Sequence, residues 1–230
     1  IDETTFYPSK GKERLKSMIE TRPDWCVSRQ RVWGVPLPIF VNKKTKEILV
    51  DEDVFETIAK IYEKEGSDCW FSDDPQKFLG KKYKSEDFEK LSDIVEVWFD
   101  SGSTHSFVLE KRKDLKWPAS MYLEGSDQHR GWFHSSLLQS CGTRGKAPFE
   151  SILSHGFVVD GKGLKMSKSL GNVIAPEDIL KKYGADILRI WVASSNYAED
   201  LRIDYSILDQ HSESYRKIRN TFRYLLGNLN

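Results

Sequence analysis

The sequence has few cysteines, a balanced charge and no long apolar run, and each absence excludes a class of protein. Its 230 residues hold three separated cysteines and no Cys-x-x-Cys pair, so neither a disulfide framework nor a structural zinc site is expected. Lysine plus arginine and aspartate plus glutamate both total 35, which leaves no overall basic field for nucleic acid. No run approaches the roughly 20 apolar residues of a membrane span, and no signal-peptide pattern is present. We therefore expect a soluble, cytoplasmic protein.

The chain starts without methionine, at Ile1, and its last helical pattern continues to its end. We therefore expect it to be a piece of a longer protein. Hydrophobic residues make up 39% of the sequence, which is enough for one large core or two small ones.

The first 93 residues contain a mixture of elements. The pattern predicts a short polar helix over 11–21, a hairpin over 37–50 and an amphipathic helix over 51–65. Residues 66–93 are polar and are predicted to be an insertion or surface excursion.

The middle of the chain alternates strand-like and helix-like patterns, which is typical of a parallel α/β sheet. The predicted strands are 94–99, 121–123 and 152–159. The predicted helices begin near Ser126 or Asp127 and then occupy 176–183 and 185–195.

The end of the chain predicts a long helix, because apolar residues from Ile207 to Leu229 recur in steps of three and four. With this change of pattern, we predict four parts. They are a part with a hairpin at 1–50, an insertion at 51–93, an α/β part at 94–204 and the start of a helical bundle at 205–230.

The segment 122–133 places polar groups directly after a predicted strand. Glu124, Asp127 and Gln128 supply oxygen acceptors and an amide, which suit ribose hydroxyls or an ammonium group. Gly125 would let a ligand approach the backbone. Ligands of open α/β sheets bind beyond the carboxyl ends of the strands. The alternative is a helix whose first turn is merely capped by these side chains.

The segment 155–172 is rich in glycine and contains Lys165 and Lys168. Two cations three residues apart can face one anion if the loop turns helically, which would suit a triphosphate. The alternative is an ordinary solvated basic loop. The segment is not a Walker A loop, because GxxxxGK[ST] is absent.

Two further segments favour a structural explanation over a functional one. Residues 24–38 form an aromatic turn with Trp33 and Gly34 followed by two prolines, and core packing would explain it. Residues 97–103 are predicted to end a strand, with a helix cap at Ser101 or Ser103.

At these four segments the sequence resembles the isoleucyl-tRNA synthetases. Residues 165–169 read KMSKS, which is identical to a signature of class I aminoacyl-tRNA synthetases. The segments that resemble the isoleucine enzymes are 28–36, 97–103 and 122–133. The valine and leucine enzymes carry different residues at the strand-to-helix turn. The resemblance covers most of 22–36 and 94–230, and it is weak over 40–92.

The resemblance implies a role for each matched residue. The ribose and amino-acid moiety of an aminoacyl-adenylate would be contacted by Glu124, Gly125, Asp127 and Gln128. The isoleucine side chain would lie against Trp33 and Trp132. The adenine would lie beside His155, Gly156 and Phe157. The phosphates of ATP would be neutralised by Lys165 and especially Lys168. No residue is implied as a metal ligand.

The resemblance also implies a fold, a reaction and partners. The fold would be the second half of a split Rossmann-type parallel sheet, followed by the first helix of an anticodon-binding domain. The substrates would be isoleucine, ATP with Mg²⁺, and tRNA(Ile), and the parent enzyme would be a monomer. The HIGH signature of this class is absent, so it would lie in a missing N-terminal half. We therefore expect the isolated chain to be inactive.

Two alternatives remain open from the sequence. The chain could be a non-catalytic module that binds tRNA or packs against its missing half. It could also be a catalytic part of a valyl- or leucyl-tRNA synthetase.

Overall fold

A computed structural model describes residues 1–229, and Asn230, the last residue of the predicted 205–230 part, lies outside the described residues. The strands are β1 (Thr5–Tyr7), β2 (Ser28–Arg29), β3 (Phe40–Asn42), β4 (Phe88–Lys90), β5 (Ile94–Val95), β6 (Tyr122–Gly125), β7 (Ser151–His155), β8 (Val158–Asp160) and β9 (Leu201–Ile203). The α-helices are α1 (Gly11–Glu20), α2 (Glu52–Glu65), α3 (Cys69–Ser72), α4 (Pro75–Leu79), α5 (Val97–Gly102), α6 (Trp132–Arg144), α7 (Pro176–Tyr183), α8 (Ala185–Ser194) and α9 (Tyr205–Gly227). Within residues 1–229, none of these helices has both the length and the apolar character to cross a membrane.

The chain divides into two compact units, each built from stretches that are far apart in sequence. The first unit comprises Ile1–Arg14, Ser120–His129 and Phe149–Asn230, and the second comprises Leu15–Ala119 and Arg130–Pro148. The predicted boundaries at residues 50, 93 and 204 stay predictions.

A three-stranded sheet forms the centre of the first unit, with the order β1-β7-β6 and parallel pairing throughout. This confirms the predicted parallel α/β class. Its buried side chains include Phe6, Tyr122 and Ile152, and the rings of Tyr122 and Phe149 meet edge to face at 4.9 Å. Strand β1 was not predicted, because three residues are too few to display an alternating pattern.

The rest of the first unit packs three helices on a small parallel pair, β8 and β9. The predicted helices over 176–183 and 185–195 are confirmed as α7 and α8, and the predicted long helix as α9. Their shared core consists of Ile179, Ile187, Trp191, Ile203 and Leu208.

The single strand predicted over 152–159 is wrong, because the chain leaves the sheet at Gly156. The Gly156 N–H donates to the Tyr197 carbonyl at 2.9 Å instead of continuing the ladder. Strand β7 therefore ends at His155, and β8 pairs with β9 in another sheet.

The second unit contains a separate core around Trp70, which includes residues of β3, α2, α3, α4 and β4. Its buried members are Phe40, Val54, Ile58, Cys69, Trp70, Phe78, Leu79 and Phe88. The predicted 37–50 hairpin is present as a turn with a Val41–Ile48 bridge, but the regular partner of β3 is β4. The polar 66–93 segment thus contributes several buried side chains to a core that it shares with β3 and α2.

The strand predicted over 94–99 is wrong beyond Val95. Glu96 is the N-cap of α5, and its carboxylate accepts the Trp98 N–H at 3.1 Å. The predicted cap at Ser101 or Ser103 is therefore also wrong, because a glutamate satisfies the first helical turn earlier. Similarly, Ser126–His129 forms a 3₁₀ turn, and the regular helix begins later, at Trp132.

Candidate functional site

The carboxyl ends of three parallel strands meet at one edge of the first unit's sheet. Strands β1, β7 and β6 end at Tyr7, His155 and Gly125, and Gly125 pairs with His155 across the ladder. The beginnings of the segments 122–133 and 155–172 therefore lie side by side. This is the edge at which open α/β sheets bind ligands.

A cavity of about 440 Å³ opens at this edge. Its size lies within the range of pockets for small ligands and cofactors. The lining residues are Pro8, Lys10, Gly11, Arg14, Ser126, His129, Ser154, His155, Gly156, Ala198, Glu199 and Asp200. The cavity thus presents cationic, anionic and backbone groups together.

The turn after β6 brings a carboxylate close to the main chain. A Cβ atom on Gly125 would lie 2.6 Å from Asp127 Oδ1, so the absence of a side chain allows this approach. Gln128 Nε2 donates to Asp127 Oδ2 at 3.2 Å. Glu124 is exposed and pairs with Ser154 in the ladder. Glu124 thus lies at the end of β6, and Asp127 and Gln128 lie on the turn that follows it. None of these three residues is among the lining residues of the 440 Å³ cavity.

The segment after β7 is held against residues 197–201. His155 Nδ1 lies 2.8 Å from the Gly156 carbonyl, which can only accept, so Nδ1 carries the proton. The Phe157 N–H donates to Asp200 Oδ1, and its carbonyl accepts the Leu201 N–H, both at 2.8 Å. Phe157 remains 49% exposed. Of the predicted adenine-side residues, His155 and Gly156 thus form part of the cavity wall, and Phe157 is not among the lining residues.

Gly156 is required at this wall by backbone packing. A Cβ atom there would lie 2.2 Å from the Glu199 carbonyl oxygen and 2.7 Å from the Asp200 nitrogen. Neither is the far end of a flexible side chain, so neither can move aside easily.

His129 is a cavity residue that the sequence analysis missed. It is buried, and its Nδ1 donates to the Ser126 carbonyl at 2.8 Å. Burial lowers the pKa of His129 below its usual value, with the charge of Arg14 acting in the same direction. The imidazole is therefore neutral at pH 7.

Lys10 and Arg14 were missed because β1 was not recognised. A strand followed by Pro8-Ser9-Lys10-Gly11 and a helix is a strand–turn–helix signal, and it could have pointed to this corner of the cavity. No such local signal marks Glu199 and Asp200. They line the cavity because residues 197–201 are hydrogen-bonded to Gly156 and Phe157.

Lys165 and Lys168 lie on an exposed loop, and neither lines the cavity. Lys165 forms an extended bridge with Val159, and the turn comes later, where the Gly171 N–H donates to the Lys168 carbonyl at 3.2 Å. The helical turn assumed for bringing both ammonium groups to one side is therefore not formed between these residues.

The two tryptophans belong to the second unit. Trp33 is 93% exposed and lines a cavity of about 840 Å³ whose wall also includes Val32, Glu96 and Asp100. Trp132 is half-buried, donates its Nε1 proton to the Ser101 carbonyl at 3.0 Å, and is not among the lining residues of that cavity. Burial, followed by the nearby Glu96, raises the pKa of Asp100.

Among residues 1–229, no group of three or more His, Cys, Asp or Glu side chains is placed to hold a metal ion.

Comparison with known proteins gives a family match and close relatives. Residues 1–204 match the family described as tRNA synthetases class I (I, L, M and V). The whole chain is 86% identical over 230 residues to the isoleucine–tRNA ligase of Pelagibacter ubique (strain HTCC1062), of which it covers 25%. It is 56% identical over 229 residues to the isoleucine–tRNA ligase of Zymomonas mobilis, of which it covers 24%. The chain thus spans about a quarter of the length of these relatives.

Solved structures share the fold at low sequence identity. The LeuRS–tRNA–LeuAMS ternary complex from Agrobacterium radiobacter K84 gives a TM-score of 0.64 at 21% identity, over 95% of this chain and 31% of that one. The Mycobacterium tuberculosis methionyl-tRNA synthetase bound by methionyl-adenylate gives 0.56 at 17% identity, over 90% and 32%.

Proposed function

The chain belongs to the class I tRNA synthetase family of the isoleucine, leucine, methionine and valine enzymes, and we propose that it is part of the catalytic domain of an isoleucine–tRNA ligase. The observation that carries this proposal is the 86% identity to such a ligase along the whole chain. The proposed substrates are isoleucine, ATP with Mg²⁺, and tRNA(Ile), and the proposed enzyme is a cytoplasmic monomer. The remaining partner is the rest of the same protein.

The strand-end cavity is the proposed site for the nucleotide half of the adenylate. Glu124, Asp127 and Gln128 offer acceptors and an amide for the ribose and the amino-acid moiety, and Gly125 permits close approach. His155 and Gly156 line the part of the cavity proposed to lie beside adenine, and the exposed Phe157, which follows them, is proposed to contact adenine from outside that lining. Support comes from the pairing of Gly125 with His155, which brings the two segments together.

The proposed chemistry has two steps without a covalent enzyme intermediate. An isoleucine carboxylate oxygen attacks the α-phosphorus of ATP, the bond to the β-phosphate oxygen breaks, and pyrophosphate leaves. A terminal ribose hydroxyl of tRNA then attacks the adenylate carbonyl, and AMP leaves. A carboxylate needs no general base, so the protein acts by positioning and by stabilising charge.

Lys165 and Lys168 supply positive charge where negative charge accumulates on the departing pyrophosphate. Both are exposed, so their side chains are accessible to a phosphate chain. Trp33 and Trp132 are proposed as apolar walls for the isoleucine side chain, and the high exposure of Trp33 is compatible with contact to a further part of the protein.

Pyrophosphate exchange in the full-length protein tests this function. Lys168→Ala is expected to lower the kcat of isoleucine-dependent ATP–pyrophosphate exchange about 100-fold, because its charge acts mainly in the transition state. The KM for isoleucine should stay within about twofold. Lys181→Ala, which removes an exposed lysine on α7, is the control and should exchange normally. Normal exchange by Lys168→Ala would exclude the assigned role.

A module that packs or binds tRNA without catalysis is the second candidate, and α9 is the observation that favours it. The later half of this helix exposes Ile218, Phe222, Leu225 and Leu226. An apolar stripe of this kind is suited to packing rather than to direct RNA contact.

A further inference from the structure

Asp160 closes the beginning of the lysine-bearing loop with both of its carboxylate oxygens. Oδ1 accepts the Lys162 N–H at 3.0 Å and the Leu164 N–H at 2.8 Å. Oδ2 accepts a hydrogen bond from Asn172 Nδ2 at 2.8 Å. One side chain therefore connects the strand β8 to the far end of the loop.

Asn172 closes the other end of the same loop. Its Oδ1 accepts the Ser167 N–H at 2.9 Å, and its Nδ2 also lies 3.3 Å from the Lys165 carbonyl oxygen. We call the Asp160–Asn172 pair, with these backbone partners, the clasp. The segment between Lys165 and Lys168 is fixed at its backbone by the clasp.

The clasp is supported on both sides by other contacts. Met166 packs against the core of α7, α8 and α9, and Lys165 bridges to Val159. The Ser167 hydroxyl accepts the Leu170 N–H at 3.3 Å. The backbone of the loop is thus held, while the side chains of Lys165 and Lys168 remain exposed.

A carboxylate is the appropriate partner at this position. Donation from Asn172, and then from the Leu164 N–H, lowers the pKa of Asp160, so the group is ionised at neutral pH. Hydrogen bonds to an ionised acceptor are stronger than those between neutral groups. The loop contains Gly161, Gly163 and Gly171, so without such bonds its backbone would have wide conformational freedom.

We propose that Asp160 and Asn172 are positioning residues, which hold the loop backbone so that Lys165 and Lys168 are presented to the ATP phosphates. This inference rests on the proposed function of the two lysines. The reason is physical: charges stabilise a transition state most when they are placed before the reaction and need no reorganisation during it.

Exchanging the two side chains provides the sharpest test in the full-length protein. Asp160→Asn places two amide groups face to face, and Asn172→Asp places two carboxylates face to face. Each is expected to lower the kcat of pyrophosphate exchange about tenfold or more, while the KM for isoleucine stays within about twofold. The double variant Asp160→Asn with Asn172→Asp restores one amide–carboxylate hydrogen bond in the opposite direction and should recover at least part of the loss.

Asn42→Ala is the matched control. Like Asp160, the Asn42 side chain accepts hydrogen bonds from two backbone N–H groups in a loop, those of Lys44 and Thr45. It is expected to leave kcat unchanged. Normal kcat in both single variants, or a double variant no better than the poorer single one, would overturn the positioning role.

Amide hydrogen exchange of the loop provides a readout that does not depend on activity. Asn172→Ala removes the acceptor of the Ser167 N–H, so exchange of that amide should accelerate about tenfold or more. Unchanged exchange would show that the clasp does not hold the loop. If the wild-type protein lacks isoleucine-dependent ATP–pyrophosphate exchange, the proposed function is wrong. The amide hydrogen exchange rate of Ser167 then remains the test of the clasp.

Discussion

Gly125 and Gly156 lie at adjacent strand ends, and each excludes a side chain for a different physical reason. At Gly125 the obstacle is Asp127 Oδ1, the end of a side chain that can rotate. At Gly156 the obstacle is the backbone of Glu199 and Asp200. The first glycine therefore affects the position of a proposed ligand group, and the second affects the fold of the cavity wall.

Gly156→Ala is expected to destabilise the chain by about 1–3 kcal/mol, because a fixed backbone must shift to admit the methyl group. Gly125→Ala should cost less, since Asp127 can move, but it should weaken binding of an adenylate analogue. Gly142→Ala on α6, where nothing lies within 4 Å of the new Cβ, is the control and should be neutral or stabilising by about 0.5–1 kcal/mol. Urea unfolding of the three variants checks the order, and equal stability of Gly156→Ala and the wild type would contradict it.

His134 is expected to make the folded chain sensitive to acid. It is only 4% exposed and accepts a hydrogen bond from Arg22 Nη1 at 3.3 Å. Burial, followed by the charge of Arg22, lowers the pKa of His134 from 6.5 to about 4. The unfolded chain therefore binds more protons than the folded chain between these two pH values, so stability falls as the pH is lowered through this window.

His134→Gln keeps an acceptor for Arg22 but removes the titration. At pH 5 the wild type should have lost about 2 kcal/mol of unfolding free energy through this group relative to pH 7, and the variant should lose correspondingly less. Buried His105 and His129 have lowered pKa values as well, so part of the acid sensitivity remains. Urea unfolding at both pH values measures the difference, and parallel losses in the two proteins would exclude the effect.

At the scale of elements, α9 changes character along its length. Its first turns are capped by Asp204, whose Oδ1 accepts the Ile207 N–H at 2.8 Å, and Leu208 is fully buried. From Ile218 onward its large apolar side chains are exposed. The same apolar periodicity therefore runs through a packed first half of α9 and an exposed second half.

Leu208→Ala is expected to destabilise the chain by about 2–5 kcal/mol, since it opens a cavity in the core shared by α7, α8 and α9. Leu226→Ala is the matched control, because Leu226 is 63% exposed and the same substitution there opens no buried cavity. Thermal or urea unfolding compares the two. Similar losses for both would mean that the exposed half of α9 is also packed.

At the scale of the whole molecule, the chain builds two units from five separated stretches. The cavity at the ends of β1, β6 and β7 lies within the first unit, and the cavity that Trp33 lines lies within the second. The chain spans about a quarter of its relatives and carries KMSKS but no HIGH signature.

The isolated 230-residue chain is accordingly expected to catalyse no isoleucine-dependent pyrophosphate exchange, whereas the full-length protein should do so. The isolated chain and the full-length protein are compared at equal molar amounts, and the full-length Lys168→Ala variant gives the background rate. Vigorous exchange by the isolated chain would show that the nucleotide site is complete without the rest of the protein.

The sequence alone determined those features that depend on neighbouring residues. Helices α2, α7, α8 and α9 were predicted because their apolar periodicity and flanking residues are local properties. The parallel α/β class followed from alternating patterns, and the family followed from KMSKS and three further motifs. Of the candidate site, Glu124–Gln128 were singled out because they follow a predicted strand directly, whereas His155–Phe157 were implied only by the family resemblance, since the sequence predicted them inside a strand.

Only the tertiary structure decided which distant segments meet. Strand β1, the break at Gly156 and the pairing of β3 with β4 depend on partners between 41 and 146 residues away. Cavity residues such as His129 and Glu199, and the clasp between Asp160 and Asn172, likewise arise from contacts that no local pattern encodes. Their positions are selected by burial and by satisfied hydrogen bonds across the fold, which a linear sequence pattern does not record.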